Sequence, residues 1–234
     1  MKALILKEWR ENVKLAALWL VIYTLLLLVQ YRGYVASPAS LSQPLADVDL
    51  MYSTAWFCGI FGAVLGWLQV FNERRPDLWA FLMHRPMTRT EMFLGKALAG
   101  LGLYAVVVGG PLLVFLGWAR WPGHVPAPFE VRMLRPLAAC VLTGLVFYAA
   151  GMLTGLRQAR WYGSRALGLG MALVVCLLMA LRPVWWEGFL VILIGGVILI
   201  ASVWGGFQTH GYYRGQPAAG KAALSFAMML GSGI

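Results

Sequence analysis

The sequence predicts an all-α membrane protein: a six-transmembrane-helix bundle with an N-terminal interfacial amphipathic helix and a short cytoplasmic helix between spans two and three. Three observations predict it. Of the 234 residues, 61% are hydrophobic and only 12% charged, with a mean hydropathy of +0.74, far from the balance of a water-soluble domain. Six uncharged apolar runs fall at residues 15–31, 51–71, 97–119, 137–156, 166–181 and 188–207, and a helix needs about 20 such residues to cross the hydrocarbon core. The runs are continuously apolar rather than alternating, which favours helices that satisfy their own backbone in lipid over the strands of a barrel.

Residues 1–14 form the first element. Ile5, Trp9 and Val13 recur every four positions, with Lys7, Arg10, Glu11 and Lys14 elsewhere around the helix, a pattern that lays a helix in the membrane interface. The plainer reading is a solvated turn with a chance stripe. The transmembrane domain then occupies 15–207. Its first span is too long, and its flank with Glu8 and Glu11 too acidic, to read as a cleaved signal peptide. The loop 32–50 is rich in Ser, Pro and Ala, and the loop 120–136 carries Pro122, Pro126 and Pro128; both read as connections without a fold of their own. The two shorter spans lean on interfacial residues such as Tyr31, Trp185 and Trp186. Residues 208–234 read as a cytoplasmic tail whose apolar end, 222–234, is either the start of a further span or a segment lying on the membrane.

The net charge of +10 is topological. Fourteen of the 19 Lys and Arg residues lie before span one, between spans two and three, between four and five, and after six. The opposite loops hold only Arg32, Arg120, Arg132, Arg135 and Arg182. The positive-inside rule therefore expects the N-terminus and the segment 73–96 to be cytoplasmic. No nucleic-acid-binding motif accompanies the charge, and nucleic acid is not expected as a partner; membrane lipids are.

The six runs contain no Asp, Glu, Lys, Arg or His, which argues against ion-coupled carriers, proton relays and voltage sensors. His84, His124 and His210 all fall in loops, without paired carboxylates or metal-ligand spacing. Cys58, Cys140 and Cys176 are scattered within spans and read as packing residues. Gly62 with Gly66, and Gly151 with Gly155, form GxxxG pairs, read as ordinary helix packing.

The segment ERRPDLWAFLMHRPMTRTEMFLGK, 73–96, is too polar to span and too patterned to be slack. Pro76 suits the first turn of a helix and Asp77 the positive end of its dipole. Leu78, Phe81 and Leu82 share one face, and Pro86 ends the helix. Thr88 and Glu91 then form a capping box, with Met87 and Met92 as its hydrophobic staple. By these residues alone the helix is either an interfacial element that tidies a loop or a stiff handle on span three.

Glu73, Leu82, Pro86, Arg89 and Lys96, spaced E-x8-L-x3-P-x2-R-x6-K, resemble the segment between the first two core spans of type 2 (exporter-type) ATP-binding-cassette transporter permeases. The opening KALILKEWREN is similar to that family's interfacial helix. Asp77-Leu78 and Met87-Thr88 differ from the family's commoner Gly-Thr and Val-Ser. The resemblance implies a permease subunit in the bacterial cytoplasmic membrane, paired with a second permease subunit as a homo- or heterodimer. It also implies a separate cytoplasmic ATPase that binds ATP and Mg. The segment 73–96 would then be a coupling helix and its turn, with Leu78, Trp79, Phe81 and Leu82 at the ATPase contact and Glu73 and Arg89 fixing the geometry around Pro86. No P-loop occurs in the chain, so no catalytic residue, cofactor or metal is expected in it. The alternative is a non-transport polytopic membrane protein: a sensor partner, an assembly factor or an intramembrane enzyme.

Overall fold

The computed structural model describes residues 2–36, 47–71, 88–121, 130–156, 166–182 and 184–209, and every regular element among them is helical. The helices are α1 (Lys2–Ala36), α2 (Val48–Phe71), α3 (Arg89–Tyr104), α4 (Gly110–Ala119), α5 (Leu134–Leu156), α6 (Leu167–Ala180) and α7 (Trp185–Thr209). A π-helical turn, Ala105–Gly109, joins α3 to α4 in one rod, and a 3-10 turn, Val131–Met133, leads into α5. Five stretches are long and apolar enough to cross a membrane: Lys2–Gly33, Val48–Phe71, Arg89–Ala119, Val131–Leu156 and Trp185–Gln208. These are the dimensions of an integral membrane protein. The fifth expected span, 166–181, is present as α6 with 14 residues, about 21 Å of helix against a hydrocarbon core of about 30 Å.

The amphipathic segment and the first span, expected as separate elements meeting at residue 14, are one unbroken helix of 35 residues. Its buried face is also not the expected one. Leu4, Glu8, Asn12, Ala16, Tyr23 and Leu27 are buried, while Trp9 and Val13 of the apolar stripe are 38% and 48% exposed. The stripe is displaced by one position because α3 offers a charged partner to Glu8, Asn12 satisfies its amide on the Glu8 carbonyl of its own helix, and outward-facing apolar residues meet lipid at no cost.

α1 packs along α3, and α2 packs against α5 as the central pair; α6 and α7 close on the other side of α5. The α2–α5 seam is made of glycine. A methyl on Gly62 would overlap the carbonyl of Gly144, one on Gly66 that of Tyr148, and one on Gly151 that of Ala63. The two GxxxG pairs thus line one seam within the chain, each glycine against backbone or side chain of the facing helix, bringing the backbones into direct contact. Outward of the polar cluster described below, Trp19, Tyr23, Phe57, Phe61 and Tyr104 form a continuous aromatic core, with Tyr23 and Phe57 stacked at 4.3 Å and Phe61 and Tyr104 at 5.8 Å. Cys58 and Cys140 are buried free thiols, and Cys176 is half-buried, all inside the helix packing.

Candidate functional site

The start of α3 is set by its cap. Thr88 is extended, its hydroxyl accepts from the Glu91 N–H at 3.2 Å, and Glu91 Oε2 accepts from the Thr88 N–H at 2.8 Å. Both halves of the capping box are made, which satisfies two of the donors that a helix start leaves open. With the helix beginning at Arg89, Lys96 stands two turns inside it. This corrects its placement as a loop charge: Lys96 is 2% exposed and faces the bundle.

Lys96 gathers four helices. Its Nζ donates to Glu8 Oε1 of α1 at 2.6 Å and to the backbone carbonyl of Gln69 in α2 at 2.9 Å. Glu8 is 1% exposed. Gln69 lies in the last turn of α2, whose carbonyls have no partner within the helix, so the ammonium also complements the negative end of the α2 dipole. The Gln69 side chain accepts from Tyr148 Oη of α5 at 2.7 Å and donates to the Lys96 carbonyl at 3.4 Å. The same carbonyl lies 3.3 Å from the Tyr148 hydroxyl. Asn12, one turn along α1, donates to the Glu8 carbonyl at 2.9 Å. Gly100 admits the Tyr148 hydroxyl: a methyl there would overlap it.

A buried ion pair of this kind holds its place only when both charges are hydrogen-bonded, because each alone would suffer a desolvation penalty of several kcal/mol. Here the lysine has two short acceptors, and the pair is charge-assisted. The reading that the spans lack ionisable groups holds for the six apolar runs but not for the helices, which begin earlier than the runs. Glu8 and Lys96 both lie within helices that form the bundle.

A second set of contacts lies about two turns nearer the chain segment that precedes α3. Arg89 Nη1 donates to the carbonyl of Gln208 at 3.0 Å, with that of Phe207 at 3.5 Å. Thr90 Oγ1 accepts from Gln208 Nε2 at 2.7 Å and from Trp204 Nε1 at 3.4 Å. Phe93 and Phe207 pack ring on ring at 5.8 Å. The guanidinium thereby caps the open carbonyls at the end of α7. The first turn of α3 is latched to the last turn of α7.

Of the residues singled out from the sequence, Thr88, Arg89, Glu91 and Lys96 belong to this assembly. Glu73, Leu78, Trp79, Phe81, Leu82 and Pro86 lie outside the described residues. Asn12, Gln69, Thr90, Tyr148 and Gln208 are not among the residues singled out from the sequence, and Glu8 is named there only as an acidic flank of the first span. A signal for some of them exists: Glu8 and Asn12 are spaced one turn apart between Leu4 and Ala16, and Gln69 interrupts an apolar run.

Neither chemistry nor kinship adds to this. No known protein family, curated protein or solved structure matches the chain. Among the described residues, no three His, Cys, Asp or Glu side chains are grouped to hold a metal ion. An open groove of about 400 Å³ between α6 and α7, bounded by residues such as Met171, Val174 and Ile198, is wholly apolar and offers no reactive group. What the polar assembly does have is reach: it touches α1, α2, α3, α5 and α7 within two turns of the α3 cap.

Proposed function

We propose that this chain is the membrane-spanning permease subunit of a type 2 ATP-binding-cassette exporter. In this reading a separate cytoplasmic ATPase, carrying ATP and Mg, acts on the segment that leads into α3. The supporting observation is the network around Lys96, through which a displacement of the α3 start bears at once on α1, α2 and α5, while Arg89 and Thr90 carry it to α7. A loosely held loop would absorb such a push; a capped helix bound by buried charges transmits it. The positive-inside distribution supports a cytoplasmic location for this end of the bundle and the N-terminus. Two such subunits, identical or related, face each other across the pathway. Leu78, Trp79, Phe81 and Leu82 form the ATPase contact, with Glu73 before them and the Pro86 turn behind them.

The deciding experiment is co-purification in mild detergent from the native membrane. An ATPase should be recovered with the wild-type chain, and replacing Leu78 and Phe81 with Asp should abolish recovery while membrane insertion is unchanged. Failure to recover any ATPase with the wild-type chain overturns the reading. Undiminished recovery with the double variant removes these side chains from the contact.

A further inference from the structure

The rod Arg89–Ala119 is interrupted by the π-helical turn Ala105–Gly109. The sequence there is Gly109-Gly110-Pro111. Pro111 has no N–H to give, and its ring crowds the carbonyl four residues back, at Val107; a widened turn relieves the conflict. Single π turns inside α-helices are frequent at functional sites, and sharp changes of helix direction fall at such turns and at prolines. The glycines have no packing reason to be there. A methyl on Gly109 or Gly110 would meet nothing within 4 Å, in contrast to Gly100 of the same rod, so their effect is on the freedom of the backbone.

The two sides of this turn are held in different ways. α3 is bound by the directional contacts of Lys96, Arg89 and Thr90. α4 leans chiefly on α1, through apolar and ring contacts such as Tyr31 against Trp118 at 4.7 Å, and its Leu113 and Val114 are exposed. Apolar contact is non-directional and tolerates sliding; a buried ion pair does not.

We propose that Ala105–Pro111 is a hinge, about which α4 swings relative to an α3 that stays anchored in the polar assembly. The hinge confines motion to one half of the rod, and it stands whether or not an ATPase drives it. Spin labels at Leu98 and Val114, on exposed faces of the two halves, lie about 24 Å apart along the axis at 1.5 Å per residue. Labels at Tyr52 and Trp67 on uninterrupted α2 give a control separation of about 22 Å.

In nanodiscs, the pulsed dipolar distance distribution of the α3–α4 pair should be broad or two-peaked, about twice the width of the α2 pair. The variant Gly109→Ala, Gly110→Ala, Pro111→Ala should narrow it to the control width. A wild-type α3–α4 pair as narrow as the α2 pair overturns the hinge, and that comparison needs no variant to fold. A broad distribution that persists in the folded triple variant also overturns it, since the motion would then not arise from this turn.

Discussion

Lys96 and Glu8, 88 positions apart in the chain, meet at 2.6 Å with both side chains almost wholly removed from solvent. The contact joins the first and third long helices at the level where α2 ends. It places a buried ion pair at the centre of the polar contacts that join these helices.

That dependence is measurable by a double-mutant cycle. Lys96→Met or Glu8→Gln alone should each lower stability by about 3–5 kcal/mol, because either leaves a buried polar partner uncompensated. Together they should cost clearly less than the sum of the two. The measurement is unfolding in mixed micelles or loss of ligand-free fold on heating in detergent. Strict additivity would show that the two charges do not depend on each other.

The latch between α3 and α7 makes a local prediction. Arg89→Ala should open the final turn of α7, raising amide exchange near Phe207 and Gln208 at a cost of about 1–2 kcal/mol. Exchange around Asn12 should be unaffected, since that residue is held by α1. Uniform loosening of both regions would contradict a local cap.

Glycines of the rod and seam should divide by their surroundings. Gly66→Ala and Gly100→Ala force a methyl into the Tyr148 carbonyl and hydroxyl respectively, and overpacking of this kind costs about 1–3 kcal/mol. Gly117→Ala, in α4 with nothing within 4 Å of the added methyl, should be neutral or stabilising by up to about 1 kcal/mol. Thermal inactivation in one detergent ranks the three, and a reversed order would refute the seam as described.

Orientation is open to labelling. In a background without Cys58, Cys140 and Cys176, a cysteine at exposed Thr88 should react with an impermeant maleimide only after the membrane is opened. One at Trp121, 68% exposed at the far end of the rod, should react in intact cells. The reverse pattern would invert the topology on which the proposed function rests.

Much of this protein's architecture is legible in its sequence. Length and apolarity placed the long helices, because a bilayer imposes one dimension on every segment that crosses it. The Thr88–Glu91 box marked the start of α3, because capping is settled within four residues. Local chemistry of that sort needs no partner from elsewhere in the chain. The one-residue shift of the α1 stripe was less legible, since a helix among lipids gains nothing by hiding its apolar face, and the side that turns inward is chosen by what waits there.

Glu8, Gln69, Lys96 and Tyr148 show the limit most plainly. Gln69 and Tyr148 stand singly in apolar stretches, Glu8 is one of several charges before the first run, and Lys96 has the look of a charge at the mouth of a span. Only the packing of α2 on α5 through bare glycine backbone, and of α1 along α3, brings them within hydrogen-bonding distance. Sequence by itself determined that the long apolar segments are helices and where one of them begins; tertiary structure alone decided which polar groups share an interior, because the stability of a buried charge lies in its partner and not in its neighbours along the chain.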